Sequence, residues 1–122
     1  MQNCIVFEDF LRNIEWFKDR VRIIQGSYKQ FVDFLPKNYF DLIFIDASHD
    51  YHNVFSDIQI SRNCIKQGGI ICGHDYWMDF PGVIQAVKEL IFSQPDIIEY
   101  GVVPDTYGFW FARFAPEVQD NL

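Results

Sequence analysis

Five titratable residues able to hold a cation or move a proton stand just beyond two uniformly apolar runs. Leu42-Ile43-Phe44-Ile45 ends at Asp46, with His49 and His52 following, and Ile70-Ile71-Cys72 leads through Gly73 into His74 and Asp75. No histidine occurs anywhere else in the chain. Two carboxylates at neighbouring strand ends form a natural pocket for Mg2+ or another hard divalent cation, which takes oxygen ligands. An imidazole titrates near neutral pH and can accept the proton of a hydroxyl. On that chemistry Asp46 and Asp75 are candidate metal ligands, and His49 is the candidate general base. His74 has two readings, a third ligand or a residue that orients its loop. The structural alternative makes Asp46 a cap of the turn that follows it. His49 would then be a loop histidine bonded to backbone carbonyls, and His52, at the opening of a helix, reads as solvated.

The elements that must position these residues follow from periodicity. An apolar run with no alternation suits a strand buried on both faces, as in a parallel α/β sheet, where ligands gather at the carboxyl ends of the strands. Asp41 to Asp46 and Gly69 to Gly73 are such runs, and Val21 to Gln25 is a shorter one stopped by Gly26-Ser27. Residues 4–18 have helical spacing, as does Tyr28 to Leu35, capped by Ser27 and stopped by Pro36. His52 to Ile65 reads as an amphipathic helix ending at Gly68-Gly69, and Pro81 to Phe92 as a helix with proline in its first turn. Two β-rich runs, Ile97 to Val103 and Gly108 to Phe114, are joined by the turn-like Pro104-Asp105-Thr106-Tyr107 and predict an antiparallel hairpin. The grammar is that of a doubly wound α/β domain.

Composition narrows the function classes. The formal net charge of −7 argues against nonspecific binding to nucleic acid or to an anionic membrane, both of which need clustered Lys and Arg. No apolar run approaches the ~20 residues of a membrane span. The start MQNCIVFEDF lacks the basic region of a secretory signal. Cys4, Cys64 and Cys72 are unpatterned and read as reduced thiols of a cytoplasmic protein. Thirteen Phe, six Tyr and three Trp leave more apolar surface than usual to hide in the fold or against a partner. Tyr76, Trp77, Phe80, Tyr107 and Trp110 could wall an acceptor pocket or bury an oligomer interface.

The ordered set Phe10 and Asn13, Gly26-Ser27, Asp41 through Tyr51, Gly68 through Tyr76, and Pro81-Gly82-Val83 with Ala86-Val87 and Glu89 resembles the later part of class I S-adenosylmethionine-dependent methyltransferases. Their closest match is methyltransferase family 24. The resemblance implies a truncated doubly wound, Rossmann-like sheet with a C-terminal antiparallel hairpin, and a single domain over 1–122 that forms the C-terminal part of the family's domain. It implies methyl transfer from S-adenosylmethionine to an oxygen of a small-molecule acceptor. Gly26 and Ser27 would then touch the adenine, and Asp46 and Ala47 would border methyl donor and acceptor. Metal-dependent relatives ligate a divalent cation at positions matching Asp46 and Asp75, and His74 stands where some carry a second aspartate.

The front of the chain departs from the family. The Gly-rich turn E-x-G-x-x-x-G and the ribose-binding acid after the second strand have no counterpart, since the first glycine is Gly26. The Gly-rich turn admits the methionine moiety to the backbone, so S-adenosylmethionine binding is expected to be weak or lost. The family's first two strands would lie between the segment at 21–25 and the strand at 41–46. Their edges must be closed by 21–25 moving in, by a second copy, or by the rest of a longer gene product; the first two together are the expectation, with a homo-oligomer, most simply a dimer. Two other functions stay open: a non-catalytic oligomeric or partner-binding module derived from a methyltransferase, and a metal-dependent hydrolase built on Asp46, His49, His74 and Asp75.

Overall fold

A computed structural model describes residues 2–46, 48–104 and 107–118. The chain divides into two compact units, Met1–Phe31 and Val32–Leu122.

The first unit holds helix α1 (Gln2–Ile14), a 3-10 turn (Glu15–Arg20) and the short helix α2 (Tyr28–Phe31). Helix α1 and the turn carry local ion pairs, Arg12 with Asp9 at 2.6 Å and Lys18 with Glu15 at 3.1 Å. The strand expected at 21–25 does not form. Val21 leaves the 3-10 turn in extended backbone, and the segment enters no ladder among the described residues. Extended backbone becomes a strand only when a neighbour takes up its N–H and C=O groups.

The second unit is a four-stranded sheet with helices. Strands β1 (Phe40–Ile45), β2 (Ile65–Gly73), β3 (Ile97–Val103) and β4 (Phe109–Phe114) lie in the order β1-β2-β4-β3. β1 and β2 are parallel, joined through helix α3 (Tyr51–Cys64). β4 runs antiparallel to both β2 and β3, so the C-terminal hairpin inserts its second strand against β2. Helix α4 (Pro81–Val87) continues as one π-helical turn (Lys88–Phe92).

Period-2 alternation along each strand sends Ile43 and Ile45 of β1, Ile71 and Gly73 of β2, and Trp110, Ala112 and Phe114 of β4 to one face. Val54 and Ile58 of α3 and Val83, Ala86, Val87 and Ile91 of the α4 segment pack there and complete the core. Asp50 caps α3, its carboxylate accepting from the Asn53 N–H at 3.1 Å and from the Asn53 side chain at 2.7 Å. Those bonds hold the Asp50 carboxyl below its usual pKa.

Two local expectations change. Gly68-Gly69 do not stop α3, which ends at Cys64 and passes directly into β2. Between the pairings Phe40↔Ile65 and Leu42↔Ile70, β2 uses five residue steps against two in β1. Gly68 takes up the slack at φ +82 while its N–H reaches the Ala115 carbonyl at 3.0 Å. A left-handed residue inside a strand is glycine's role at a bulge. The second change is that β1 is not buried on both faces. Its Leu42 and Phe44 are 59% and 52% exposed, because α3 and α4 lie on the other side.

Candidate functional site at the carboxyl end of the sheet

β1 and β2 end side by side, Ile45 opposite Gly73, so the residues after them emerge together. The His74 N–H donates to the Ile45 carbonyl at 3.4 Å and ties the second loop to the end of the first strand. Asp75 then turns at φ +66, a left-handed conformation that aspartate tolerates better than most side chains. The Tyr76 N–H bonds the Gly108 carbonyl at 3.1 Å and the Trp77 N–H the Asp75 carbonyl at 2.9 Å, which locks that turn. Gly108 itself sits at φ +77 with no room for a side chain against the Tyr76 carbonyl.

This geometry brings together ligand atoms of Asp46, His74 and Asp75, all within 4.8 Å of one another. Asp75 Oδ1 faces His74 Nδ1 at 3.2 Å, and Asp75 Oδ2 faces His49 Nε2 at 2.9 Å. One carboxylate therefore links the two histidines. The Asp75 side chain is 14% exposed and that of His49 48%, so the pair opens to solvent on the histidine side. The Phe80 ring lies 4.0 Å from the His49 imidazole, centre to centre. Asp46, Ser48, His74 and Asp75 rim a cleft floored by Val54, Val83 and Trp110. Its interior is about 10 Å³, the room of one water-sized sphere.

The other expected residues distribute as follows. His52 lies exposed in the first turn of α3, outside the cluster, with its ring against Tyr51 at 5.6 Å. Gly26 and Ser27 belong to the Met1–Phe31 unit. There Ser27 opens α2, its hydroxyl accepting from the Lys29 N–H at 3.4 Å and its N–H donating to the Gln30 side chain at 3.0 Å. Ala47 lies outside the described residues. Trp110, at 1% exposure, is core: its ring lies where a Cβ on Gly73 would have to go, and it closes the floor of the cleft instead of burying an oligomer interface. Tyr76, Trp77 and Phe80 are half-buried around the loop, and Tyr107 packs edge-on against Trp77 at 6.3 Å.

Sequence reasoning missed Ser48, whose signal was its position two residues past Asp46. It also missed Gly82, where a Cβ would meet the Tyr51 nitrogen at 2.6 Å and the His49 carbonyl at 3.0 Å. Glycine there lets the first turn of α4 close on the His49 loop. Further along, the Tyr51 hydroxyl donates to Glu89 at 2.5 Å and Gln85 donates to the same carboxylate at 3.0 Å. This lowers the Glu89 pKa and raises that of Tyr51.

A parallel β-α-β unit with its acidic and imidazole groups at the carboxyl end, extended by an antiparallel hairpin, defines a Rossmann-like α/β domain. A family model described as a methyltransferase domain, Methyltransf_24, matches residues 5–76. The chain belongs to that methyltransferase-domain family. No curated protein matches. Among solved structures, a protein from Corynebacterium glutamicum superposes with a TM-score of 0.72 at 16% identity, over 93% of this chain and 56% of that one. An O-methyltransferase from Bacillus cereus in complex with SAH is similar at TM-score 0.64 and 23% identity, over 85% and 56%. An SAM-dependent O-methyltransferase from Thermotoga maritima reaches 0.61 at 16% identity, over 90% and 46%. The chain thus spans about half the length of these structures, and its fold is a truncated methyltransferase sheet. No helix among the described residues is long and apolar enough to cross a membrane.

Proposed function

We propose that the chain serves S-adenosylmethionine-dependent methyl transfer to a hydroxyl oxygen of a small molecule, and that it carries the acceptor side of that reaction. The observation behind this reading is the convergence of Asp46, His74 and Asp75 at the end of two parallel strands, with His49 bonded to Asp75. Two carboxylates and an imidazole suit a divalent cation of intermediate hardness, and the cleft between them has the room of one small sphere. Asp46, His74 and Asp75 would hold that cation, which when bound lowers the pKa of a coordinated hydroxyl.

His49 is the proton acceptor in this reading. With Nε2–H donating to Asp75, the neutral ring keeps its Nδ1 lone pair for the acceptor's hydroxyl proton. On transfer the acceptor oxygen would form the C–O bond as the donor's C–S bond broke, and His49 would keep the proton. Asp75 fixes the ring, and Phe80 restricts its rotation. S-adenosylmethionine supplies the electrophilic methyl group. By family resemblance Asp46 and Ala47 would border it, and Gly26 and Ser27 would contact its adenine.

The cleft at the cluster has the room of one small sphere and not of a nucleoside. This favours a second reading, a methyltransferase-derived module without turnover. In that module donor binding would be millimolar or weaker, as follows when two or three charge-assisted contacts of roughly 1.5–3 kcal/mol each are not made. Thermal melting with Mg2+, Mn2+ or Zn2+, with and without S-adenosylmethionine, tests both readings. A cation-dependent rise in Tm that the donor increases further, and that Asp46→Asn removes, supports the transferase. A cation response with no donor response supports the module. No cation response at millimolar metal removes the cluster as a site.

A further inference from the structure

The π-helical turn that continues α4, Lys88–Phe92, has side chains suited to it. The Ser93 N–H passes over the Glu89 carbonyl, its partner in a regular α-helix, and bonds that of Lys88 at 3.1 Å. The Glu89 carbonyl left over accepts from the Ser93 hydroxyl and from the Gln94 side chain, each at 2.9 Å. A freed carbonyl met by two side chains marks a turn that the sequence supports. The wide turn also separates two contacts. Residues three apart share one face of an α-helix, whereas Glu89 and Phe92 reach different partners. The Glu89 carboxylate takes the Tyr51 hydroxyl at 2.5 Å and the Gln85 amide at 3.0 Å. The Phe92 ring packs on Tyr76 at 5.7 Å and stacks on Tyr100 at 4.7 Å. Tyr51 stands two residues after His49, and Tyr76 directly follows Asp75.

We propose that this π-helical turn is the positioning element of the cluster: through Tyr51, Glu89 holds the His49 loop, and through Tyr76, Phe92 holds the Asp75 loop. The inference rests on the reading of His49 as proton acceptor. The contact from His49 Nε2 to Asp75 Oδ2 at 2.9 Å joins two separate loops, so its geometry depends on both being held to one support. Gly82 already lets the start of α4 close on the His49 loop. Glu89 adds a second hold about two turns further along the same helix. Glu89 and Phe92 act through the two tyrosines and are positioning residues. A turn of this kind inside a helix recurs at functional sites, because it aims side chains that a regular helix would align.

The test reads the His49 ring directly, in the metal-free chain. With isotope-labelled histidine in mildly alkaline solution, NMR separates the two nitrogens of each neutral imidazole, and a His49→Gln variant assigns those of His49. The wild type should show one tautomer, protonated at Nε2 against Asp75. Tyr51→Phe, Glu89→Ala and Phe92→Leu should each give a mixture of tautomers. Glu89→Gln, which keeps an acceptor for the Tyr51 hydroxyl, should restore the single form. Ser93→Ala with Gln94→Ala, which removes the two donors to the Glu89 carbonyl, should reproduce the Glu89→Ala spectrum. Cation affinity by calorimetry should fall about threefold to tenfold wherever the tautomers mix, the worth of one hydrogen bond. Glu89 is exposed and Tyr51→Phe removes a single oxygen, so circular dichroism should show the native fold in both. A single tautomer that survives Tyr51→Phe and Glu89→Ala would overturn the proposal and leave the proton-acceptor reading intact. An unchanged spectrum in Phe92→Leu or in the Ser93, Gln94 double variant, or a Glu89→Gln spectrum no better than that of Glu89→Ala, would overturn it equally. A mixture already present in the wild type would overturn both. The expected tautomer pattern without any cation response would uphold the positioning role and remove the cluster as a metal site.

Discussion

The two faces of the sheet share strands and differ in what lies over them. On one face Ile71, Trp110 and Ala112 are at most 1% exposed beneath Ile58, Val87 and Ile91. On the other, Leu42 and Phe44 keep more than half their surface in water, and the Phe44 ring stacks on Phe109 at 6.2 Å. The same apolar run, residues 42–45, supplies both faces. Apolarity in a strand thus states a capacity for burial, and the helices decide where it is used. The cost of an exposed apolar face is a drive toward association.

The sharpest probe of this contrast is a pair of truncations. Trp110→Ala should cost about 3–5 kcal/mol in urea unfolding, through lost transfer energy and a cavity that cannot collapse. Leu42→Ala should cost under about 1 kcal/mol when measured on the monomer, since little of the side chain leaves water. Similar values for the two would erase the distinction between the faces. Next in size is the cation linkage. Metal at 100 times its Kd should stabilise the fold by about 2.7 kcal/mol, and Asp46→Asn should abolish that gain while leaving metal-free unfolding nearly unchanged.

Gly108→Ala probes how the covered face supports the cluster. A methyl group at φ +77 would be driven into the Tyr76 carbonyl, displacing the loop that sets Asp75. We expect roughly 1–3 kcal/mol of destabilisation and a reduced cation-induced shift in Tm. A variant that loses stability but keeps the full metal response would uncouple hairpin and site.

The smallest effect is one of pH. Burial, with the Asp50 charge adding to it, pushes the Asp57 carboxyl on α3 above its usual 3.8. A raised carboxyl pKa means that the folded state binds the proton more tightly. Asp57 therefore costs stability as pH rises from about 3.8 through its folded pKa, and the cost persists at neutral pH. Asp57→Asn should melt slightly higher than wild type at pH 7, with the gap closing below pH 3.8. A gap that widens on acidification would reverse the assigned sign.

Much of the carboxyl-end cluster was legible in the residues themselves. Two apolar runs separated by a helix-length segment predict adjacent parallel strands, and adjacent strands deliver whatever follows them to one place. That is why Asp46, His74 and Asp75 could be named together. The link from His49 to Asp75 was not legible, because it depends on a left-handed turn at Asp75 and on Gly82 admitting α4 to the His49 loop.

The elements themselves came from short-range rules that the chain carries at every position: helical spacing in α3 and α4, unbroken apolar runs in β1 and β2, turn residues before β4. Long-range pairing decided the rest. Val21 to Gln25 has the composition of a strand and enters no ladder among the described residues, Gly68-Gly69 look like a helix stop and form a bulge, and Trp110 looks like a binding aromatic and fills the core over Gly73. In each case the local preference was satisfied equally well by two structures. Only the packing partner, set by which surfaces meet across the fold, separated them.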